Sequence, residues 1–456
     1  VFLAPEYFFL IIHFQATMFK KITIILLGWV FISGDVWAIS IQESLIAANT
    51  YNAEINAARN AHDAENQKKY QGFSGLLPVV TLNGAWNKTD QPDAAYSAGV
   101  TRHNYSFNLA QPIFDVAKYA TWRKSVVIAD LADVNYLIAQ QKLIGNVVTA
   151  YYNVLYQRSV LETHQRILAA FDAQLKQAHK ALDVGDGTRL DEAEAQANYD
   201  KSVADVLAAE NDLNDANIEF HQLTGLDALS IPGQNMGCLR FTDTLHLERL
   251  KHMAAADNLD VLAAIQTIKG SEAEIISATA NHLPVVSFQA SYGKNWSRAE
   301  DGNFLDSMFG TTAKTNNTTI GVNIAIPLFA GGSHISQSIE AAHRFEQSKD
   351  LLIDARRKAE QQTVQAASAV KNGEARIKAY QRAIASSEKR LSSTRYGREI
   401  GQRTLIDVFN AEKEYYQAIQ DLAQAQNIWI QSIIKLSSAT GSLDYATVKT
   451  FSCGTA

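Results

Sequence analysis

Proline is almost missing from this sequence. Only seven occur in 456 residues, at positions 5, 78, 92, 112, 232, 284 and 327, and none falls between 113 and 231 or after 327. Stretches of that length, rich in Ala, Gln, Glu, Lys and Leu, exclude a loop-rich or all-β organisation there and predict long helices. Cysteine is scarcer still. Cys238 and Cys453 are the only two, too few for a disulfide framework or a cysteine zinc cluster, and they allow at most one bridge in an oxidising compartment. There is no excess of basic charge: the net charge is −6 and the pI about 6.0, which gives no electrostatic basis for a nucleic-acid partner. No apolar run reaches the ~18–20 residues that a transmembrane helix needs.

Catalytic signatures are missing too. The segment "VGDGTRLD" (184–191) has glycines but lacks the Gly-Lys-Ser/Thr ending of a phosphate loop, no HExxH occurs, and the eleven histidines are scattered. His246 and His252 flank an expected helix and read as solvated side chains rather than metal ligands. No enzymatic activity and no cofactor are expected.

The N-terminal region has the pattern of a secretory signal peptide over 18–38. Met18-Phe19-Lys20-Lys21 gives a basic start, Ile22–Ile32 an apolar core, and Val36-Trp37-Ala38 a small-residue cleavage pattern. Residues 1–17 read as over-extended translation. The residue directly after Ala38 is Ile39 and not a cysteine, so no lipid attachment is expected on an exported chain.

The remainder is an internal duplication. "LLPVVTLNGAW" (76–86) is echoed by "HLPVVSFQASY" (282–292), and Gln111-Pro112-Ile113-Phe114 by Ile326-Pro327-Leu328-Phe329. "VGDGTRLD" is echoed by "IGQRTLID" (400–407), and Thr224-Gly225 by Thr440-Gly441, both at an offset of 216 residues. Repeat 1 spans 39–225, with two strands over about 79–112 and a helical hairpin over 115–225. A linker follows over 226–249. Repeat 2 spans 250–441, with strands over about 284–327 and a hairpin over 333–441, and a tail covers 442–456.

Within the hairpins Val154, Leu161, Leu168, Leu175 and Leu182 recur every seven residues, as do Val370, Ile377, Ile384 and Leu391. A strict heptad predicts coiled-coil packing, with the segments 188–224 and 404–440 as antiparallel partners. A helix from Asp115 to about Leu182 would run about 100 Å at ~1.5 Å per residue, too long for a compact domain.

The four strands each carry one apolar and one polar face over roughly ten residues. Val80, Leu82 and Trp86 alternate with Thr81, Asn83 and Ala85. Tyr105, Phe107 and Leu109 alternate with Ser106 and Asn108, Val286, Phe288 and Tyr292 with Ser287 and Gln289, and Ile320, Val322 and Ile324 with Thr319 and Asn323. That is the pattern of transmembrane β-strands, apolar outward and polar inward. Four strands cannot close a barrel, and open edges are not tolerated in hydrocarbon, so several chains must pool their strands. Two chains would give eight and three would give twelve.

On the duplicated strand–proline–helix unit, the segment Pro327-Leu328-Phe329-Ala330-Gly331-Gly332 and the motifs around Gly185 and Gly401, the chain resembles the TolC family of outer-membrane efflux and secretion channels from about Ile39 to about Leu443. The resemblance implies a mainly α protein with a small transmembrane β part. Each subunit of a homotrimer gives four strands to a twelve-stranded β-barrel in outer-membrane lipid, continued by a long α-helical tunnel across the periplasm of a Gram-negative bacterium. It also implies a periplasmic adaptor and an inner-membrane pump of the RND or ABC type as partners. Pro112 and Phe114, and Pro327, Phe329, Gly331 and Gly332, would be the joints where strand turns into helix, because proline ends pairing and glycine admits unusual backbone angles.

The same resemblance assigns the helix tips. Val184, Gly185 and Thr188, with Ile400, Gly401 and Thr404, would face the adaptor. Asp407 and Asn410 would line the constriction, Asn410 standing where the family pattern has a second aspartate. Arg398 stands in place of a tyrosine, Arg403 matches, and Leu190-Asp191 replaces a threonine–aspartate pair. The gate links still available are therefore Arg398 and Arg403 to Asp191. Thr188-x-x-Asp191 and Thr404-x-x-Asp407 also match a helix capping box, a role compatible with the first. The rival reading is an exported coiled-coil scaffold or adhesin without channel activity, which leaves the amphipathic strands unexplained.

Overall fold

The computed structural model describes residues 39–90, 99–232, 246–299 and 313–448, with positions 304 and 308 between the last two stretches. The segments 1–17 and 18–38, and the pairing of Cys238 with Cys453, lie outside the described residues.

In chain order the elements are α1 (Ile41–Tyr51), α2 (Ala53–Asn66), α3 (Lys68–Ser74), β1 (Val79–Asp90), β2 (Gly99–Phe114), α4 (Val116–Asp183) and α5 (Arg189–Thr224). A 3₁₀ turn (Ala228–Ser230) follows, then α6 (Leu247–Asp257), α7 (Leu259–Ala280), β3 (Val285–Ala299), β4 (Ala313–Ala325), α8 (Ser333–Glu399), α9 (Leu405–Ala439) and α10 (Tyr445–Val448). The duplication is visible as two strand pairs, each leading into a helical hairpin.

The two long helices have 68 and 67 residues, about 100 Å each at ~1.5 Å per residue. Helix α4 packs on α5 and α8 on α9, while α7 lies against both α4 and α8, and α9 against α4. The heptads form these seams: Val154, Val370 and Leu391 are buried, and Leu161, Leu168, Leu175, Leu182, Ile377 and Ile384 are half-buried. Apolar packing is thickest where α1, α4, α5 and α9 meet, around Leu45, Val147, Tyr151, Phe220, Ile430 and Ile433. None of the described helices is long and apolar enough to cross a membrane.

A second duplicated device was not anticipated from the sequence. Asn52 separates α1 from α2 and Asn258 separates α6 from α7, both with extended backbone, and each side chain caps the following helix by accepting from two backbone N–H groups. Both are buried at 8% and 5% exposure, so the break in each helix is fixed by a satisfied polar side chain rather than by proline. Asn258 also donates to Ala439 O at 2.9 Å, tying the break to the end of α9.

The strands form one antiparallel sheet in the order β1-β2-β3-β4. Pairing of β2 with β3 joins the two repeats, and β1 and β4 are left as open edges. The strands run 12 to 16 residues, longer than the ten or so expected. Register lines the alternation up across the sheet. Leu82, Phe107, Tyr292 and Thr318 share one row on the apolar face, while Thr81, Asn108, Ser291 and Thr319 share one on the polar face. The apolar face is uncovered in the protomer: Leu82, Val80, Ile320 and Ile324 are each more than 60% exposed.

The two strand–helix joints differ. β4 stops at Ala325, just before Pro327, as expected. Gly331 and Gly332 then take φ of 60° and 82°, left-handed values that disfavour side chains, and Gly332 occupies the cap position of α8. In repeat 1 the expectation that proline ends pairing is corrected: β2 runs through Pro112 to Phe114, with Pro112 opposite Ser287 and Phe114 opposite Val286, and the register shifts between them. A proline lacks a donor but keeps its carbonyl, and a bulge absorbs the missing bond. Asp115 then caps α4 by accepting from Lys118 N–H at 3.0 Å.

Candidate functional site

At the far end of each hairpin from the sheet, the chain turns the same way twice. Helix α4 ends at Asp183 with Val184 as its cap, and α8 ends at Glu399 with Ile400 as its cap. Gly185 and Gly401 follow with φ of 84° and 76°. Asp186 N–H bonds to Ala181 O at 2.8 Å and Gly185 N–H to Leu182 O at 3.1 Å. In the second hairpin Gln402 N–H bonds to Gly397 O at 2.8 Å and Gly401 N–H to Arg398 O at 3.0 Å. Each is a Schellman ending, which satisfies orphan carbonyls and needs the left-handed glycine.

The next helices start with reciprocal capping boxes. Thr188 Oγ1 accepts from Asp191 N–H at 3.1 Å while the Asp191 carboxylate accepts from Thr188. Thr404 and Asp407 repeat this at 3.2 Å and 2.9 Å. The bond from Thr404 N–H, then that from its hydroxyl, then the charge of Arg403 hold the Asp407 carboxyl below its ordinary value. Among the exposed residues of the tips are large apolar side chains beside charged ones such as Asp186, Arg189 and Arg403. Val184 is 73% exposed, Leu190 66%, and Ile400 50%.

Of the predicted gate residues, the structure brings Arg403, Asp407 and Asn410 together. They line one open recess of about 270 Å³ with Arg390, Ser393 and Thr394. Gly397 makes room for this arrangement, since a Cβ there would lie 2.8 Å from Arg403 Cγ. Neither Arg398 nor Arg403 forms an ion pair with Asp191 in the protomer among the described residues, and the Asp191 carboxylate is engaged by its own capping box through one oxygen.

The contacts that do join the two hairpins lie one to several turns above the tips, and sequence reasoning missed them. Glu412 on α9 is only 4% exposed. It accepts from Gln174 Nε2 of α4 at 2.6 Å and from Arg395 Nη2 of α8 at 2.6 Å. One turn below, Phe171 and Phe409 meet edge-on at 5.4 Å between ring centres, in a small cluster with Ala178 and Ala195. Higher up, His164 and Gln420 are 2.7 Å apart. The only sequence signal for Glu412 is a carboxylate one residue from the apolar Ala411, on the face α9 turns to its neighbours. Across the first tip, His179 bonds to Glu192 at 2.6 Å and lies 3.7 Å from Asp183. The bond to Glu192, followed by the charge of Asp183, raises the imidazole above its ordinary value.

No group of three or more metal-ligating side chains occurs among the described residues.

The family described as outer membrane efflux protein matches residues 46–226 and 250–442, nearly the bounds of the two repeats. TolC of Escherichia coli is 28% identical over 400 residues, covering 87% of this chain and 81% of that protein. The alkaline protease secretion protein AprF of Pseudomonas aeruginosa is 25% identical, covering 90% of this chain and 86% of that one. Among solved structures, the CmeC outer membrane channel of Campylobacter jejuni superposes with a TM-score of 0.76 at 16% identity, covering 90% of this chain and 88% of that one.

Proposed function

From the premise that this chain belongs to the outer membrane efflux protein family, we propose that three copies close a single twelve-stranded barrel and continue it as a helical duct, with the tips at its inner entrance. The protein is an outer-membrane channel for efflux or type I secretion. The observation that carries a barrel pooled between copies is the sheet itself, and the family resemblance sets the number at three. Its four strands have two unpaired edges and an uncovered apolar face, and they run directly into helices about 100 Å long. In hydrocarbon such edges must be paired, and further copies of the same sheet supply the partners.

Cargo would reach the tips from an inner-membrane pump through a periplasmic adaptor. The exposed Val184, Leu190 and Ile400 suit an apolar contact with that adaptor. Asp407, held ionised by its cap, with Asn410 beside it, would set a weakly acidic constriction. Arg398 and Arg403 are exposed at the tip and would reach Asp191 of an adjoining hairpin only when copies are assembled. Glu412, with Gln174 and Arg395, ties the hairpins within each copy. An adaptor that separates these contacts would open the duct.

The test is single-channel conductance of the purified protein in planar bilayers. Small, cation-favouring steps are expected. Protein that is folded and inserted yet passes no current would overturn the channel reading and leave the scaffold.

A further inference from the structure

The apolar face of the sheet changes character toward the end away from the helices. Register places Trp86, His103, Trp296 and Lys314 side by side in one row across all four strands. The rings of Trp86 and His103 are 6.3 Å apart and those of His103 and Trp296 4.8 Å apart. One row nearer the helices, Lys294 pairs with Tyr105, and one row beyond, Arg298 pairs with Thr101. Lys294, Arg298 and Lys314 are exposed. None of the three makes an ion pair or hydrogen bond among the described side chains.

The height of this row is fixed by the strand. From the Val286–Ile324 pair to the Trp296–Lys314 pair is ten residues along β3. At about 3.3 Å per residue and a tilt of about 40°, that is ~25 Å, the height of the apolar band of a membrane barrel between its aromatic girdles. A lysine facing lipid costs about 2–4 kcal/mol at mid-bilayer but about 0–1 kcal/mol at the interface, so Lys294 and Lys314 belong at the interface, their stems along the apolar surface and their ammonium groups outward.

The other end of the same face has no counterpart. Leu109, Val286, Phe288, Ile320, Val322 and Ile324 bring no charge. The cations therefore stand on one side of the membrane only, the side away from the periplasmic helices. We propose that Lys294, Arg298 and Lys314, with Trp86, His103 and Trp296, form a docking surface for a phosphorylated glycolipid of the outer leaflet. Ammonium and guanidinium groups would take the headgroup phosphates by charge-assisted hydrogen bonds, and the indoles would lie against the sugar and upper acyl chains at the interface. The proposal rests on the barrel reading above, and nothing in it involves the polar face that lines the duct.

The experiment titrates the detergent-purified full-length protein with bisphosphorylated lipid A and follows bound lipid by native mass spectrometry. Asp93, Glu300 and Asp301 adjoin the row in sequence, so EDTA is present to remove divalent bridging. Wild type is expected to hold the lipid at least tenfold more tightly than the same glycolipid stripped of phosphate. The variant K294Q/R298Q/K314Q is expected to lose that preference while its single-channel conductance is unchanged, and K314Q/R298Q to lose part of it. Equal binding of the two lipids by wild type, an unchanged preference in the triple variant, or displacement by an equal concentration of inorganic phosphate would overturn the docking surface. Absence of conductance in inserted wild-type protein is a separate result, which strikes the channel reading instead.

Discussion

Glu412 and Gln174 are 238 residues apart in the chain, yet their side chains meet at 2.6 Å. They belong to different repeats and different hairpins, and Glu412 is buried at the contact. A carboxylate taken out of water is tolerated only when it is paired and hydrogen-bonded, and Arg395 supplies the charge at 2.6 Å.

Removing one partner of this trio should be worse than removing the charge altogether. Arg395→Ala leaves Glu412 buried with one donor and is expected to cost about 1–3 kcal/mol, below the ~3–5 kcal/mol of a fully buried pair because Arg395 is 53% exposed. Glu412→Met combined with Arg395→Met and Gln174→Met, which strands no partner, should be near neutral in stability but should raise the open fraction of the channel. Thermal unfolding and bilayer recordings on the same preparations check this. Unaltered opening in the folded triple variant would remove Glu412 from the gate.

Asp407 serves two ends, capping α9 and facing the recess with Arg403 and Asn410. Its folded value is lowered, so its stabilisation is fully present above the unfolded carboxyl value and is lost as pH falls through the lower folded one. Thr404→Ala is expected to cost about 0.5–2 kcal/mol of cap stability and to bring the carboxyl back toward its ordinary value. Asp407→Asn should reduce cation preference, read as a reversal-potential shift in a salt gradient. Equal reversal potentials in wild type and variant would exclude Asp407 from the ion path.

At the first tip the sign is opposite. The imidazole of His179 is raised by Glu192 and Asp183. Its contribution is therefore fully present below the unfolded histidine value and lost as pH rises through the higher folded one. Amide protection factors over 180–192, referred to the unfolded-chain exchange rate at each pH, should be higher at pH 6 than at pH 8, and Glu192→Gln should flatten the difference. A profile that ignores Glu192 would assign the pH response elsewhere.

Gly373 lies under Trp429, whose indole N–H donates to Val370 O at 3.1 Å. A Cβ at 373 would sit 2.6 Å from Trp429 Cδ1. Gly373→Ala should move the indole and cost about 1–3 kcal/mol through overpacking, seen as a lower melting temperature. Gly321→Ala on β4, with open space around its Cβ, is the comparison that should change little.

The long helices, the heptad seams, the strand faces and the glycine tips were legible in the sequence because each is a local pattern. Absence of proline, a period of seven or two, and a Gly-x-x-Thr turn act within a few residues, and the duplication printed most of them twice. The capping boxes were legible for the same reason. Pairing through Pro112 was not, because whether a strand ends there depends on β3 alongside. The Asn52 and Asn258 helix breaks hid among good helix formers, since an asparagine amid a helical pattern carries no mark of whether it interrupts the helix or sits within it. The tie of Glu412 to Gln174 and Arg395, and the row of Trp86, His103, Trp296 and Lys314, were decided by tertiary structure. A single residue carries no mark of its partner across hundreds of positions, and only helix packing and strand register bring those side chains within reach.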